Sequence, residues 1–417
     1  MLSIADALQL LNSHSPPPQT ESIPLLAALN RVLAANIAVP EPYPAFNRST
    51  MDGYALQSNS AKTTSQTPNS ADNTITCRVV ATITAGQTHS QTVASHECVR
   101  IMTGALLPHD CDCVIPQELA KIPDDQSNHV ILPRAACRPG ACVIATGSLG
   151  MPGDPLINKG TKLQPRHIAA LAEFGITHAT VTAIPTVAII STGNELVPFH
   201  QTPPQGQLRN SSQPMLATLL QHMGARILSL QSATDSPANL DSAIHNALAA
   251  DILLLTGGVS VGILDLVPAA LARAQVTQLF HGVRLKPGKP LWAGIRQTST
   301  HSTLVFGLPG NPVSSLACCE LFVRPAVRRL LGLKPTPQLT AILTQDTLVK
   351  GDRPVCQPAI ASIQNSQLVA HPVPWQLSAD LRSTAAANAM ILLDPSLTPH
   401  TAGSAVSVWL WDGLPED

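Results

Sequence analysis

The sequence predicts a multidomain protein of α/β and β character, with a central parallel sheet, an inserted β-rich domain before it and a C-terminal β-domain after it. Three observations predict this. Strand-like and helix-like segments alternate between Thr186 and Gly332, which favours a parallel sheet covered by helices on both faces. Short β-like runs broken by Pro and Gly occupy residues 76 to 145, Arg78–Ile83 and His129–Leu132 among them. Beyond Gly332 the helical pattern fades, and Ala389–Leu393 and Ala405–Leu410 read as strands. An antiparallel α+β arrangement of the central segment is the alternative. Its connections, long enough for crossovers, favour the parallel one.

Taken in order, Ser3 caps a short helix through Leu11, stopped by Pro16, Pro17 and Pro18. Residues 21 to 42 predict an apolar helix and then a proline-bounded extended piece. Asn59 to Asn73 is nearly devoid of apolar residues and reads as a surface loop. A helix follows Pro165 and ends at Gly175. Val187–Ile190 is apolar without alternation, as in a strand buried on both faces. A helix from Pro214 to Met223 stops at Gly224, and Arg226–Leu230 is the next strand. Ser236 and Pro237 open a helix that reaches Ala250. Ile252–Leu255, a helix from Leu266 to Ala274 and the strand Leu304–Phe306 follow. Pro312 opens the last helix of the segment, and Pro325 kinks or breaks it.

Bulk properties exclude several function classes. A chain of 417 residues is too long for one ordinary domain. Charged residues make up 12% of it, against about 25% in typical domains. The formal net charge is −1, so no global field draws the protein to nucleic acid or acidic lipid, and neither is expected as a partner. An anionic substrate must be caught by a local cluster. Nine cysteines occur without a CxxC spacing, so reduced, packed thiols are expected rather than a zinc site. The N-terminus has no cationic-then-apolar signal, and the apolar stretch Ala247–Leu255 is broken by Asp251 and too short to span a bilayer. A cytoplasmic protein is expected.

Open parallel sheets bind ligands at the carboxyl ends of their strands, and three such ends carry unusual sequences here. Val187–Ile190 runs into Ser191-Thr-Gly-Asn-Glu195. Ile252–Leu255 runs into Thr256-Gly-Gly-Val-Ser-Val-Gly262, with Asp265 beyond it. Leu304–Phe306 runs into Gly307-Leu-Pro-Gly-Asn-Pro312 and a helix start. Each turn alone is an ordinary tight connection. Together they offer close backbone approach and N–H donors to an anion. Neither GxxxxGK[ST] nor GxGxxG is present. Lys286-Pro-Gly-Lys289-Pro290 adds two ammonium groups on one turn, which suits phosphate better than solubility in a lysine-poor chain. Glu195, Asp235 and Asp265 follow strand ends, and carboxylates beside lysines suit Mg²⁺ with phosphate. Asp235 also reads as a helix-capping residue.

Six segments together resemble the molybdopterin molybdenumtransferase family, which includes bacterial MoeA and the E-domain of gephyrin. They are Ser49-Thr-Met-Asp-Gly-Tyr-Ala55, Arg100-Ile-Met-Thr-Gly-Ala105, Ser191-Thr-Gly-Asn-Glu-Leu196, Thr256–Gly262 with Asp265, Lys286–Pro290 and Gly307–Val313. They run in the family's order over essentially the whole chain. The resemblance implies four domains. These are residues 1–52 with 140–183, an inserted lid at 53–139, a molybdopterin-binding domain at 184–333 and a C-terminal β-domain at 334–417. It also implies insertion of molybdate into adenylylated molybdopterin with release of AMP, a Mg²⁺ cofactor and a homodimer with a shared cleft. Apo-molybdoenzymes or their chaperones would take the product.

Carried over by position, the catalytic set is Asp52, Glu195, Asp235 and Asp265, the last three also holding the metal. The substrate-binding set is Thr103, Gly257, Gly258, Ser260, Lys286, Lys289, Pro309, Gly310, Asn311 and Pro312. The chain departs from the family pattern where Leu149 stands for an aspartate, Gly282 for a lysine and Leu208-Arg-Asn210 for an acidic position. The departures at Leu149 and Gly282 keep an alternative open, a catalytically weakened pterin-binding scaffold or sensor of the same fold. The long N- and C-terminal flanks argue against a short single-domain adenylyltransferase that shares the sheet domain.

Overall fold

In the computed structural model, residues 1–60, 73–123, 128–234, 236–259, 266–349, 351–396 and 398–411 are described. The chain divides into two compact units. One comprises 1–34, 160–163 and 178–417, and the other 35–159 and 164–177.

A six-stranded sheet organises the larger unit. Its strands run in the order Arg226–Ala233, Thr186–Thr192, Ile252–Thr256, Ser302–Leu308, Trp292–Gln297, Thr277–His281. The first four are parallel, as the alternating pattern predicts, but the last two are antiparallel additions. The central strands bury side chains on both faces, which is why their apolar runs do not alternate with polar residues. Val187, Ile189, Ile252, Leu254, Leu304 and Phe306 face one core. Ala188, Ile190, Leu253, Leu255 and Val305 face the other. The first core is covered by the helices Ile4–His14, Ser212–His222 and Pro312–Cys318, the second by Pro237–Ala247 and Val267–Arg273.

Two local expectations hold in mechanism. The Ser3 hydroxyl accepts from the Asp6 N–H at 3.1 Å and starts the first helix. Pro237 sits in the first turn of its helix, although Ser236 makes no side-chain capping bond. Pro325 leaves a more specific trace than a kink. The helix from Pro312 passes through a π turn at Cys319–Val323 before resuming as Arg324–Leu330, because proline cannot donate to the carbonyl one turn back. Glu320 is buried in that π turn and pairs bidentately with Arg324 at 2.5 and 2.7 Å.

The apolar helix expected after residue 21 does not form. Thr20–Pro24 is a strand paired with His178–Thr182, and only one 3₁₀ turn, Leu25–Ala28, follows. The distant partner strand satisfies the backbone, and Leu26 remains 86% exposed. Most of the polar loop expected at Asn59 to Asn73 lies outside the described residues.

A closed barrel of Leu339–Leu343, Gln367–Pro372, Val355–Gln364, Ala389–Leu393 and Ala405–Leu410 completes this unit. Cys356 and Met390 carry the sheet domain's core into the barrel wall. The smaller unit holds a five-stranded sheet of Cys113–Pro116, Gly53–Leu56, Glu97–Ile101, Thr74–Ile83 and His129–Pro133. All nine cysteines are free thiols and all but Cys142 are buried. Burial pushes the Cys111 and Cys356 thiols up to about 12. Among the described residues no helix is long and apolar enough to cross a membrane.

Candidate functional site

Strand register places the expected edge. Thr192 is level with Ala233, Ser191 with Thr256, and Thr256 with Leu308. The turns beginning at Ser191, Gly257 and Pro309 therefore leave the sheet in one row. Gly257 and Gly258 both have left-handed backbones, with φ of +86° and +62°. A Cβ on Gly257 would meet the Thr192 carbonyl oxygen at 2.8 Å, so only glycine allows this approach. The Gly257 N–H donates to the Leu308 carbonyl at 3.1 Å. The His281 Nε2 donates to the Val259 carbonyl at 2.8 Å and holds the turn from the antiparallel side.

The antiparallel strands bring the lysines to the same edge. Trp292 is paired with Gly307, so the turn Lys286–Pro290 lies just before a strand that starts at this level. The barrel clamps that turn. The Lys286 N–H donates to the Pro354 carbonyl at 2.9 Å, and the Cys356 N–H donates to the Lys286 carbonyl at 2.7 Å. Gly288 has φ of +126°, and a Cβ there would lie 2.8 Å from the Cys318 sulfur.

Between turn and barrel lies a cavity of about 520 Å³. Lys286, Lys289, Pro309 and Asn311, four members of the expected substrate-binding set, line it. Ser314, Arg353, Gln357, Trp375 and Ser378 line it too, and sequence reasoning missed all five. Four of these come from barrel segments that carry no recognisable motif. Arg353 donates from Nη1 to the Leu285 carbonyl at 3.0 Å, which anchors the guanidinium beside the lysine turn. Asn311 Nδ2 donates to Ser378 Oγ at 2.8 Å, and the Val313 N–H donates to the Ser378 carbonyl at 3.1 Å. The helix start after Pro312 thus spends its first N–H on the barrel rather than on a ligand. Side chains supply the positive charge instead. Among the described residues the cavity is lined by three cations and no carboxylate. A larger cavity of about 820 Å³ lies at the amino ends of the same strands, near Thr186, Arg226 and Ser302. Its Asp251 carboxylate is occupied by the Thr186 N–H and hydroxyl, and it is far from the Gly-rich turns.

Glu195 is exposed, its carboxylate folded back against Gly193. Asp235, Ser260 and Asp265 lie outside the described residues. Among the described residues no three His, Cys, Asp or Glu side chains form a metal-binding group, and Glu195 is the one described member of the expected metal set.

In the smaller unit, Asp52 precedes the strand Gly53–Leu56, where a Cβ on Gly53 would clash with the Ile115 carbonyl. Thr103 donates to Asp52 Oδ1 from both its backbone N–H and its hydroxyl, each at 2.7 Å. The backbone bond, then the hydroxyl, holds this carboxyl below its ordinary range. A depressed folded pKa stabilises above the unfolded value, and that contribution is lost as pH falls through the folded one. Asp52→Asn is therefore expected to lower stability at neutral pH, with the gap to the wild type closing below about pH 3.9. Chemical denaturation across about pH 2 to 7, a span that brackets the carboxylate range, checks this. A pH-independent gap would assign the effect to geometry instead.

Two of the three departures, Gly282 and Asn210, have structural reasons. Gly282 is buried with φ of +90° and its N–H donates to the Leu291 carbonyl at 2.8 Å, so a side chain there would be strained. Leu149 is 59% exposed, and its backbone N–H ties to the Tyr43 carbonyl. Asn210 caps the helix Ser212–His222 by accepting from the Gln213 N–H at 3.1 Å.

Residues 2–175 match the MoeA N-terminal region (domain I and II), 188–329 a probable molybdopterin binding domain, and 340–411 the MoeA C-terminal region (domain IV). A molybdopterin molybdenumtransferase of Bacillus subtilis (strain 168) is 32% identical, over 94% of this chain and 90% of its own. One from Synechocystis sp. is 31% identical over 99% of this chain and 100% of its own. The crystal structure of a molybdopterin biosynthesis moea protein from Pyrococcus horikosii matches with a TM-score of 0.84 and 26% identity, covering 99% of this chain and 100% of that one. The three regional matches lie end to end, and relatives at more than 30% identity span nearly the whole length. The chain belongs to the molybdopterin molybdenumtransferase family.

Proposed function

We propose that this protein inserts molybdate into adenylylated molybdopterin, releasing AMP and giving molybdenum cofactor. The observation that carries this reading is the cavity where Lys286, Lys289 and Arg353 meet the hydroxyls of Ser314 and Ser378. A tetrahedral dianion needs positive charge and convergent donors in a site with little competing water. In this reading the lysines and Arg353 bind molybdate and the substrate's phosphates, the serines orient oxyanion oxygens, and Thr256–Val259 carries backbone close to the pterin side. Complementation of a strain lacking its own transferase, read through nitrate reductase activity, tests the function. Restored activity is expected, and its absence with soluble protein present would favour the scaffold.

Mg²⁺ is part of the proposal. In sequence, Glu195, Asp235 and Asp265 come after the strands that end at Thr192, Ala233 and Thr256. Mg²⁺ accepts a few carboxylates and keeps positions for phosphate oxygens and water, and bound there it would polarise the phosphoanhydride. Asp265→Asn is expected to leave the melt unchanged and remove most Mg²⁺-dependent AMP release. Wild-type turnover in that variant would make Asp265 a structural residue.

We further propose the four-part division of the chain and a cytoplasmic homodimer, in which Asp52 and Thr103 of one subunit organise the partner's cleft. Product would pass to apo-molybdoenzymes or their chaperones. A C₂ pair is the commonest assembly, and light scattering that reads a monomer at micromolar concentration would contradict it.

A further inference from the structure

The cationic cavity has a second character that an oxyanion does not use. Trp375 lines it and is half-buried, with part of its ring packed on the barrel core. Beside it, Leu348 and Leu377 line the same cavity and remain 51% and 69% exposed. Exposed apolar groups that line a cavity mark a place where a ligand removes them from water. Three residues beyond Trp375, Ser378 is fixed to the helix start by bonds from Asn311 Nδ2 and the Val313 N–H. The segment that carries the ring is therefore anchored at the cavity mouth. Gln357, also on the wall, donates from Nε2 to the Val373 carbonyl at 3.3 Å, which turns its side-chain oxygen into an oriented acceptor. At about 520 Å³ the space falls within the roughly 300–1,000 Å³ of pockets that hold molecules of many atoms.

We propose that Trp375 is the stacking platform for a flat nitrogen heterocycle of the substrate, whose anionic part lies against Lys286, Lys289 and Arg353. The inference rests on the oxyanion reading of this cavity and adds a specificity determinant to it. A ring face held rigidly by a barrel costs little entropy to use, and stacking tolerates different heterocycles while the amide edge of Gln357 selects among them. Two flat rings belong to an adenylylated pterin, the pterin and the adenine, and both share this chemistry.

Three probes separate the possibilities, namely molybdate alone, pterin-6-carboxylate and AMP. Each is titrated into wild type, Trp375→Leu and Trp375→Phe, with calorimetry for affinity and indole emission for contact. The emission difference between wild type and Trp375→Leu isolates this ring from Trp292, Trp409 and Trp411. One of the two heterocycles is expected to quench that emission saturably and to bind about ten-fold more weakly to Trp375→Leu, with most of the affinity restored in Trp375→Phe. The heterocycle that behaves so is the one seated there. Molybdate is expected to bind all three proteins alike. If molybdate binds but both heterocycles are indifferent to Trp375→Leu, the platform is wrong and the oxyanion site stands. If molybdate does not bind the wild type, the cavity reading fails and takes the platform with it.

Discussion

Replacing Lys286 and Lys289 together by alanine is expected to weaken molybdate binding by about a hundred-fold and leave the thermal melt nearly unchanged. Hydrogen bonds to charged groups contribute about 1.5–3 kcal/mol each, and two such losses at one anion reach or exceed that ratio. The turn is held by backbone bonds from Lys286 to Pro354 and from Cys356 to Lys286, which alanine keeps. Lys289 is exposed, whereas Gly288 between them is the packed member. Calorimetry at low and high salt reads the result, since wild-type affinity falls with ionic strength more steeply than the variant's. Equal affinity and equal salt dependence in the two proteins would make the turn a solvated loop. A large fall in melting temperature would make it structural.

The second large effect is on stability. Arg324→Ala is expected to cost about 3–5 kcal/mol, because it strips a buried carboxylate of its bidentate partner. Glu320 has no exposed side-chain surface, and Arg324 is 17% exposed. The pair sits at the π turn that joins Pro312–Cys318 to Arg324–Leu330. That helix packs against the sheet, and its Cys318 thiol contacts the Gly288 carbonyl at 3.7 Å. Loosening it should therefore also weaken molybdate binding in the folded fraction. Urea unfolding followed by far-UV circular dichroism measures the loss. A change below about 1 kcal/mol would place the pair among surface ion pairs.

The central strands could be read from the chain because burial on both faces writes itself as an uninterrupted apolar run, as in Ile252–Leu255. The antiparallel strands could not. Thr277–His281 carries Thr, Gln and His, and Gly294 interrupts Trp292–Gln297 for a reason visible only in three dimensions. A Cβ at Gly294 would overlap the Trp292 ring at 2.4 Å. The Arg226–Ala233 strand lies at the sheet edge, where burial alternates regularly but Leu228 and Leu230 fall on the exposed side, against their apolar character.

The site divides in the same way. Lys286, Lys289 and Asn311 stand in compact motifs at turns, where backbone demands and chemistry coincide in a few adjacent residues. Arg353, Trp375 and Ser378 are single residues on barrel segments, and only the packing of barrel against sheet brings them to the lysines. Thr103 and Asp52, far apart in sequence, meet through a backbone bond that no side-chain pattern announces.

The most direct test of the account is single-turnover stoichiometry with purified protein, adenylylated molybdopterin, molybdate and Mg²⁺. One AMP is expected for each molybdenum bound to the dithiolene, with both events lost together in the Lys286→Ala, Lys289→Ala variant. AMP release without molybdenum transfer, or transfer that persists in that variant, would contradict it.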